Sequence, residues 1–210
     1  PSGADFKWTQ AGTFLHELGH NLGLMHGGND HISNKPNHLS VMSYAYQTGG
    51  IPIDVPNDQL YYLYDYARFS GPNLNENSLN ENAGMGGNLF HDGIYYGGRW
   101  WLTPDFENYQ EVFDATSQVD WNNNGIYQTG VRFNLNQRFD DKFNTLRGGI
   151  NEWNRLYYRG GQIAKSSNQT SMMPSQFTYR CLDKPAHSKY ISASKNVRKV
   201  TFEDVQLKRQ

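Results

Sequence analysis

His16, Glu17, His20 and His26 are the residues whose types and spacing bear most directly on chemistry. Histidines four apart on a helix share one face, because 3.6 residues complete a turn. His16 and His20 can therefore present two imidazole nitrogens to one metal ion. Glu17 can stand beside that ion without binding it, where a carboxylate can act on a water activated at the metal. Gly23 offers a place for the helix to end, since glycine enters the left-handed backbone region without penalty. The chain can then double back and bring His26 to the same ion. Three neutral imidazoles leave the fourth tetrahedral position of Zn²⁺ to water, the layout of a catalytic rather than a structural site. The bland alternative is an amphipathic core helix with incidental histidines.

Residues 16–26 read H-E-x-x-H-x-x-G-x-x-H, which resembles the zinc signature of the metzincin metallopeptidases. Downstream, Leu39-Ser40-Val41-Met42-Ser43-Tyr44 resembles the Met-turn of that clan, which sets a methionine beneath the zinc histidines. Asp65-Tyr66-Ala67-Arg68, Leu79-Asn80-Glu81, Asp120-Trp121-Asn122-Asn123-Asn124-Gly125 and Asn151-Glu152-Trp153 are similar to segments of prokaryotic metzincin-type proteases. The resemblance covers roughly Thr13 to Tyr158. It implies an α+β, loop-rich catalytic domain with few strands and a secreted, periplasmic or extracellular zinc endopeptidase acting on proteins or peptides. His16, His20 and His26 would hold the zinc, and Glu17 would serve as general base and then acid. Met42 would pack under the imidazoles. Tyr44 would bind zinc or the transition state, or else be a packed tyrosine of the pocket wall. Gly27, after the third histidine, leaves the subfamily open. In the clan an N-terminal sheet subdomain precedes the zinc helix, yet only fifteen residues precede His16. The chain is therefore expected to be largely the C-terminal subdomain, partnered by an N-terminal subdomain of the same precursor.

A second ion is suggested by Asp120-x-Asn122-x-Asn124-Gly125, which copies the oxygen ligands and glycine that open an EF-hand loop. The twelfth position is Val131 rather than a bidentate glutamate, so a complete EF-hand is excluded. A shorter Ca²⁺ loop that borrows a later oxygen such as Asn134, and an Asn/Gly turn that needs no ion, both stay open. His31, His38, His91 and His187 lack ligand spacing and read as surface or hydrogen-bonded histidines.

The elements that must position these groups read less clearly. Thr9 or Thr13 is a plausible N-cap for a helix running to about Leu22. Residues 27–30 read as a turn and 31–39 as a polar loop ending at the Met-turn, with 44–52 walling the substrate pocket. Two prolines in 49–56 argue against a helix or a central strand. Aromatic-rich 60–69 reads as a strand. Two Leu-Asn-Glu-Asn repeats in 73–82 read as a short helix or ordered loop, and 84–98 as glycine-punctuated loop. Apolar residues at three- and four-residue spacings predict an amphipathic helix over 144–158, weakened by Gly148-Gly149. Residues 1–164 form the expected peptidase domain, and 165–210 a polar linker with a basic tail.

The formal net charge of −1 argues against nucleic-acid or anionic-membrane partners recognised by bulk charge. The single cysteine, Cys181, excludes a disulfide within the chain. No apolar run approaches the ~18 residues of a membrane span. Two other functions fit a zinc scaffold of this kind: a non-catalytic binding or adhesion module, and a zinc amidase acting on cell-wall peptides. Glu17 argues against the first, because a binding scaffold has no use for the base.

Overall fold

A computed structural model describes residues 3–104, 108–137, 140–157 and 198–201. The fold is α+β: one N-terminal helix followed by several small, mostly antiparallel sheets. Helix α1 spans Gly3–Asn21. Thr9 and Thr13 both fall inside it, so neither is the N-cap expected from sequence. Lys7 before Thr9, and Gln10 and Ala11 between the two threonines, are good helix formers that keep both inside the helical run. The C-terminus ends as anticipated at Gly23, which takes φ +88°. The Leu24 N–H donates to the Gly19 carbonyl (2.9 Å) and the Gly23 N–H to that of His20 (3.1 Å), the paired bonds of a Schellman cap.

The main sheet has the order β11-β2-β1-β6-β5, with β1 at Ile51–Asp54, β2 at Leu60–Tyr64, β5 at Phe90–His91, β6 at Ile94–Tyr96 and β11 at Arg198–Thr201. β11 pairs parallel to β2 and the other neighbours pair antiparallel. Contrary to the sequence expectation, Pro52 lies in a central strand. Its carbonyl accepts from the Gly97 N–H (2.9 Å), so its nitrogen faces the same edge, toward β6. Pairing with β6 begins only at Ile53, and the missing N–H falls where the ladder has ended. Of the strand expected over 60–69, the Leu60–Tyr64 part forms as β2 and is buried on both faces. Tyr61 and Leu63 enter the larger core, whereas Tyr62 and Tyr64 join a second cluster with Leu24, Val41, Met42 and Tyr66. That alternation is the period-2 geometry of a strand between two layers.

The repeats in 73–82 are neither helix nor plain loop. Each Leu-Asn forms a two-residue strand, β3 at Leu74–Asn75 and β4 at Leu79–Asn80, and a 3-10 turn follows at Glu81–Ala83. The glutamate of each repeat is fully buried and gathers backbone N–H groups from later loops. Glu76 accepts from Leu135 and Asn144, and Glu81 from Trp121 and Gln128. The expected glycine loop at 84–98 contains the β5–β6 hairpin. Asp92 and Gly93 both have positive φ (57° and 78°), as a two-residue Asp-Gly hairpin turn requires. Trp100 and Trp101 lie in β7 (Gly98–Trp101), paired with β8 (Tyr109–Val112), while β9 (Thr129–Val131) pairs with β4.

The amphipathic helix expected over 144–158 does not form. β10 (Thr145–Leu146) pairs with β3, and a 3-10 turn covers Trp153–Arg155. The intervening glycines pass too close to their neighbours for side chains. A Cβ at Gly148 would lie 1.9 Å from the Gly71 carbonyl oxygen, and one at Gly149 2.5 Å from His38 Cδ2. Of the supposed apolar stripe, Leu146 is buried while Trp153 and Tyr157 are exposed. Within 165–210 only Arg198–Thr201 is described; the linker expected at 165–176, His187 and the rest of the basic tail lie outside the described residues. Among the described residues no helix is long and apolar enough to cross a membrane.

Candidate metal centre

α1 carries His16 and His20 one turn apart, and the cap at Gly23 turns the chain so that His26 returns to them. The three Nε2 atoms converge: His16 to His20 is 3.1 Å, His16 to His26 3.2 Å and His20 to His26 3.0 Å. Edges of about 3.3 Å are what a tetrahedron with Zn–N bonds of about 2.0–2.1 Å would have. Each helical histidine is oriented from behind. His16 Nδ1 donates to the Val41 carbonyl (2.8 Å) and His20 Nδ1 to the Leu24 carbonyl (3.1 Å). With its hydrogen placed on Nδ1, each ring aims an Nε2 lone pair inward. Burial lowers the pKa of His16 to about 4 and that of His26 to about 3, and the neighbouring histidines add to the effect. Neutral rings with converging lone pairs suit a cation. The trio could hold a metal ion such as zinc, so the donor set fits the group expected from sequence.

The turn at Ser40–Tyr44 closes beneath this cluster. The Ser43 N–H donates to the Ser40 carbonyl (3.0 Å) and the Met42 N–H to Ser40 Oγ (3.0 Å). Met42 is fully buried and packs on the underside of α1, where a Cβ on Gly19 would lie 2.3 Å from its Sδ. Gly12, two turns earlier, is as tight: its Cβ would lie 1.9 Å from the Gln47 carbonyl oxygen. Tyr66 ties the same face by donating its hydroxyl to the Leu15 carbonyl (2.7 Å). Tyr44 is half-buried against the imidazoles, with ring centroids 5.3 Å from His16 and 4.4 Å from His26. Glu17 is exposed on α1 directly after His16, and its carboxylate has no hydrogen-bond partner among the described residues. The structure thus brings His16, His20, His26, Met42 and Tyr44 together.

Sequence reasoning missed what surrounds them. The polar loop at 31–39 is largely buried, and Lys35 and His38 are wholly so. Lys35 Nζ donates to the Gly27 carbonyl (2.8 Å), the Arg147 carbonyl (2.9 Å) and the Asp30 carboxylate (3.0 Å). Burial lowers the Lys35 pKa and its bond to Asp30 opposes that. His38 is the hydrogen-bonded histidine that the sequence allowed, with Glu152 as its partner. Burial would raise the Glu152 carboxyl, but His38, Ser40 and the Ala67 N–H outweigh it and hold the group below the usual carboxylate range. The one signal for Glu152 in the sequence was its place in Asn151-Glu152-Trp153.

The Asp120 loop forms a compact turn. Asp120 accepts from the N–H groups of Asn124 (3.1 Å) and Gly125 (2.7 Å), Asn122 Oδ1 from Asn124 (3.1 Å), and Asn124 Oδ1 from Ile126 (2.8 Å). Asn134 serves its own segment, accepting from the Asn136 N–H (3.1 Å) and donating to the Asp140 carbonyl (2.9 Å). Val131 is committed to the core opposite Leu79. His31 is exposed and His91 contacts the Asn88 carbonyl, so neither joins the metal cluster. Comparisons with protein-family models, curated proteins and solved structures found no match to this chain.

Proposed function

We propose that this chain is the zinc-binding part of a metzincin-type metalloendopeptidase. The observation that carries the reading is the convergence of three Nε2 atoms from His16, His20 and His26 above a buried methionine turn. A zinc ion bound there would supply Lewis acidity to water and to a substrate carbonyl. The chain's own residues supply the rest. Glu17, an exposed carboxylate next in sequence to the first ligand, would accept a proton from the attacking water and pass it to the leaving amine. Tyr44 offers a phenol against His16 and His26, where it can donate to the developing oxyanion. Met42 takes no proton and fixes the floor. Phe14 and Leu18 are exposed on α1, and each lies two residues, or about 200°, from His16 or its helical neighbour His20. That apolar face supports the companion reading of a β-rich subdomain from the same precursor covering α1.

Metal analysis and cleavage of mixed protein, peptide and cell-wall substrates test the proposal together. His20→Ala should lose most of the zinc, because two imidazoles cannot hold a tetrahedral site tightly. Glu17→Ala should keep the zinc and lose hydrolysis by at least about 10²-fold, since only the proton carrier is removed. Stoichiometric zinc in His20→Ala would show that the ligands are wrong. Cleavage by Glu17→Ala within a few-fold of the parent would sink the mechanism. Turnover confined to cell-wall peptides would assign the protein as an amidase.

A further inference from the structure

Two of the three ligands are set by a helix, and the third is not. His26 stands in a turn beyond α1, so its position depends on whatever grips its backbone. The His26 carbonyl accepts from His38 Nδ1 (2.9 Å), and the next carbonyl, that of Gly27, accepts from Lys35 Nζ (2.8 Å). Both donors are buried with a carboxylate behind them: Glu152 at 2.9 Å from His38 Nε2, and Asp30 at 3.0 Å from Lys35. Both nitrogens of His38 are engaged by oxygens, the His26 carbonyl on one side and Glu152 on the other. The second oxygen of Glu152 takes the Ser40 hydroxyl (2.5 Å) and the Ala67 N–H (2.9 Å). Ser40 Oγ in turn accepts from the Met42 N–H. One carboxylate therefore joins the third-ligand turn, the Met-turn and the segment after β2.

We propose that His38 and Glu152 are positioning residues for the third metal ligand, holding the His26 backbone so that its imidazole meets the other two. This rests on the reading of His16, His20 and His26 as a metal site. A merely structural role explains the pair poorly. A buried carboxylate and its polar partner are costly to desolvate, and apolar residues of equal volume often stabilise a core as well or better. Apolar residues cannot, however, bond the His26 carbonyl. Partners that orient metal ligands typically change metal affinity by about 10–100-fold when removed.

The test uses His38→Gln and Glu152→Gln, with Leu135→Ala as a control for general destabilisation, since Leu135 is fully buried in the larger core. Zinc affinity is measured by competition with a chromophoric chelator, and Co²⁺ is bound in place of zinc for its visible spectrum. Glutamine at 38 can donate at only one end, so one of the two contacts is lost. The expected result is a zinc dissociation constant raised about 10–100-fold in both variants. Their Co²⁺ bands should weaken as water replaces His26 and the geometry departs from tetrahedral. Leu135→Ala should lower the melting temperature without either change. Zinc affinity within two-fold of the parent in whichever of the two variants folds would overturn the proposal, as would an equal loss of affinity in Leu135→Ala. A parent protein that binds no zinc would overturn the metal-site reading along with it.

Discussion

Gly19 sits where α1 and the turn at Met42 come closest, and it shows what the approach demands of a single residue. A methyl group there would meet Met42 Sδ at 2.3 Å and Tyr66 Cε1 at 2.9 Å. Met42 and Tyr66 are themselves buried, so neither can swing away freely. Gly19→Ala is therefore expected to destabilise the protein by about 1–3 kcal/mol, the usual range for overpacking a filled core, despite alanine's higher helix propensity. Chemical denaturation of the variant checks this. A gain in stability would mean that the helix rides higher above Met42 than the structure shows. Gly19 lies inside the histidine motif, between Glu17 and His20, where the motif itself leaves the residue type open. Its identity follows from packing, which a ligand pattern does not encode.

At the scale of elements, α1 and its exit were legible because their signals are local. A four-residue spacing places two histidines on one face, and one glycine ends the helix. Gly23 makes that exit directly testable. A Cβ at Gly23 would meet nothing within 4 Å, so the only cost of a side chain is its backbone at φ +88°. Gly23→Ala should cost about 1–2 kcal/mol, and Gly23→Asn less, because asparagine tolerates the left-handed region better. Equal melting temperatures for the glycine, alanine and asparagine forms would show that the turn is not left-handed. Four of the strands were illegible for a matching reason. β3, β4, β5 and β10 are two residues each, too short to show alternation. Apolar residues over 144–158 mimicked a helix because one enters the core while others stay at the surface. The grip on His26 was hidden for a different reason: His38 and Glu152 are 114 residues apart, and no local pattern links them.

Across the whole molecule, the three histidines draw on separate parts of the chain. His16 and His20 belong to α1, His26 to the turn pinned by His38 and Lys35, and the ring of His16 is held by Val41 beside Met42. An ion shared by the three rings would clamp α1, the turn and, through Val41, the layer that packs on β2. Its binding energy would then add to the stability of the fold rather than of the site alone, since a ligand that binds only the native state stabilises it by mass action. Free zinc at about 1,000 times its dissociation constant contributes about 4 kcal/mol. For a chain of this size each kcal/mol moves the melting temperature by about 2–4 °C. Removing zinc with a chelator should thus lower the melting temperature by on the order of 10 °C, and restoring zinc should recover it. His20→Ala should melt near the zinc-free parent and respond to neither treatment. The comparison with Glu17→Ala is the sharper one, because that variant keeps all three ligands and should retain the full zinc-dependent shift while losing most hydrolysis. A zinc-dependent shift that survives in His20→Ala would place the stabilising ion elsewhere in the molecule.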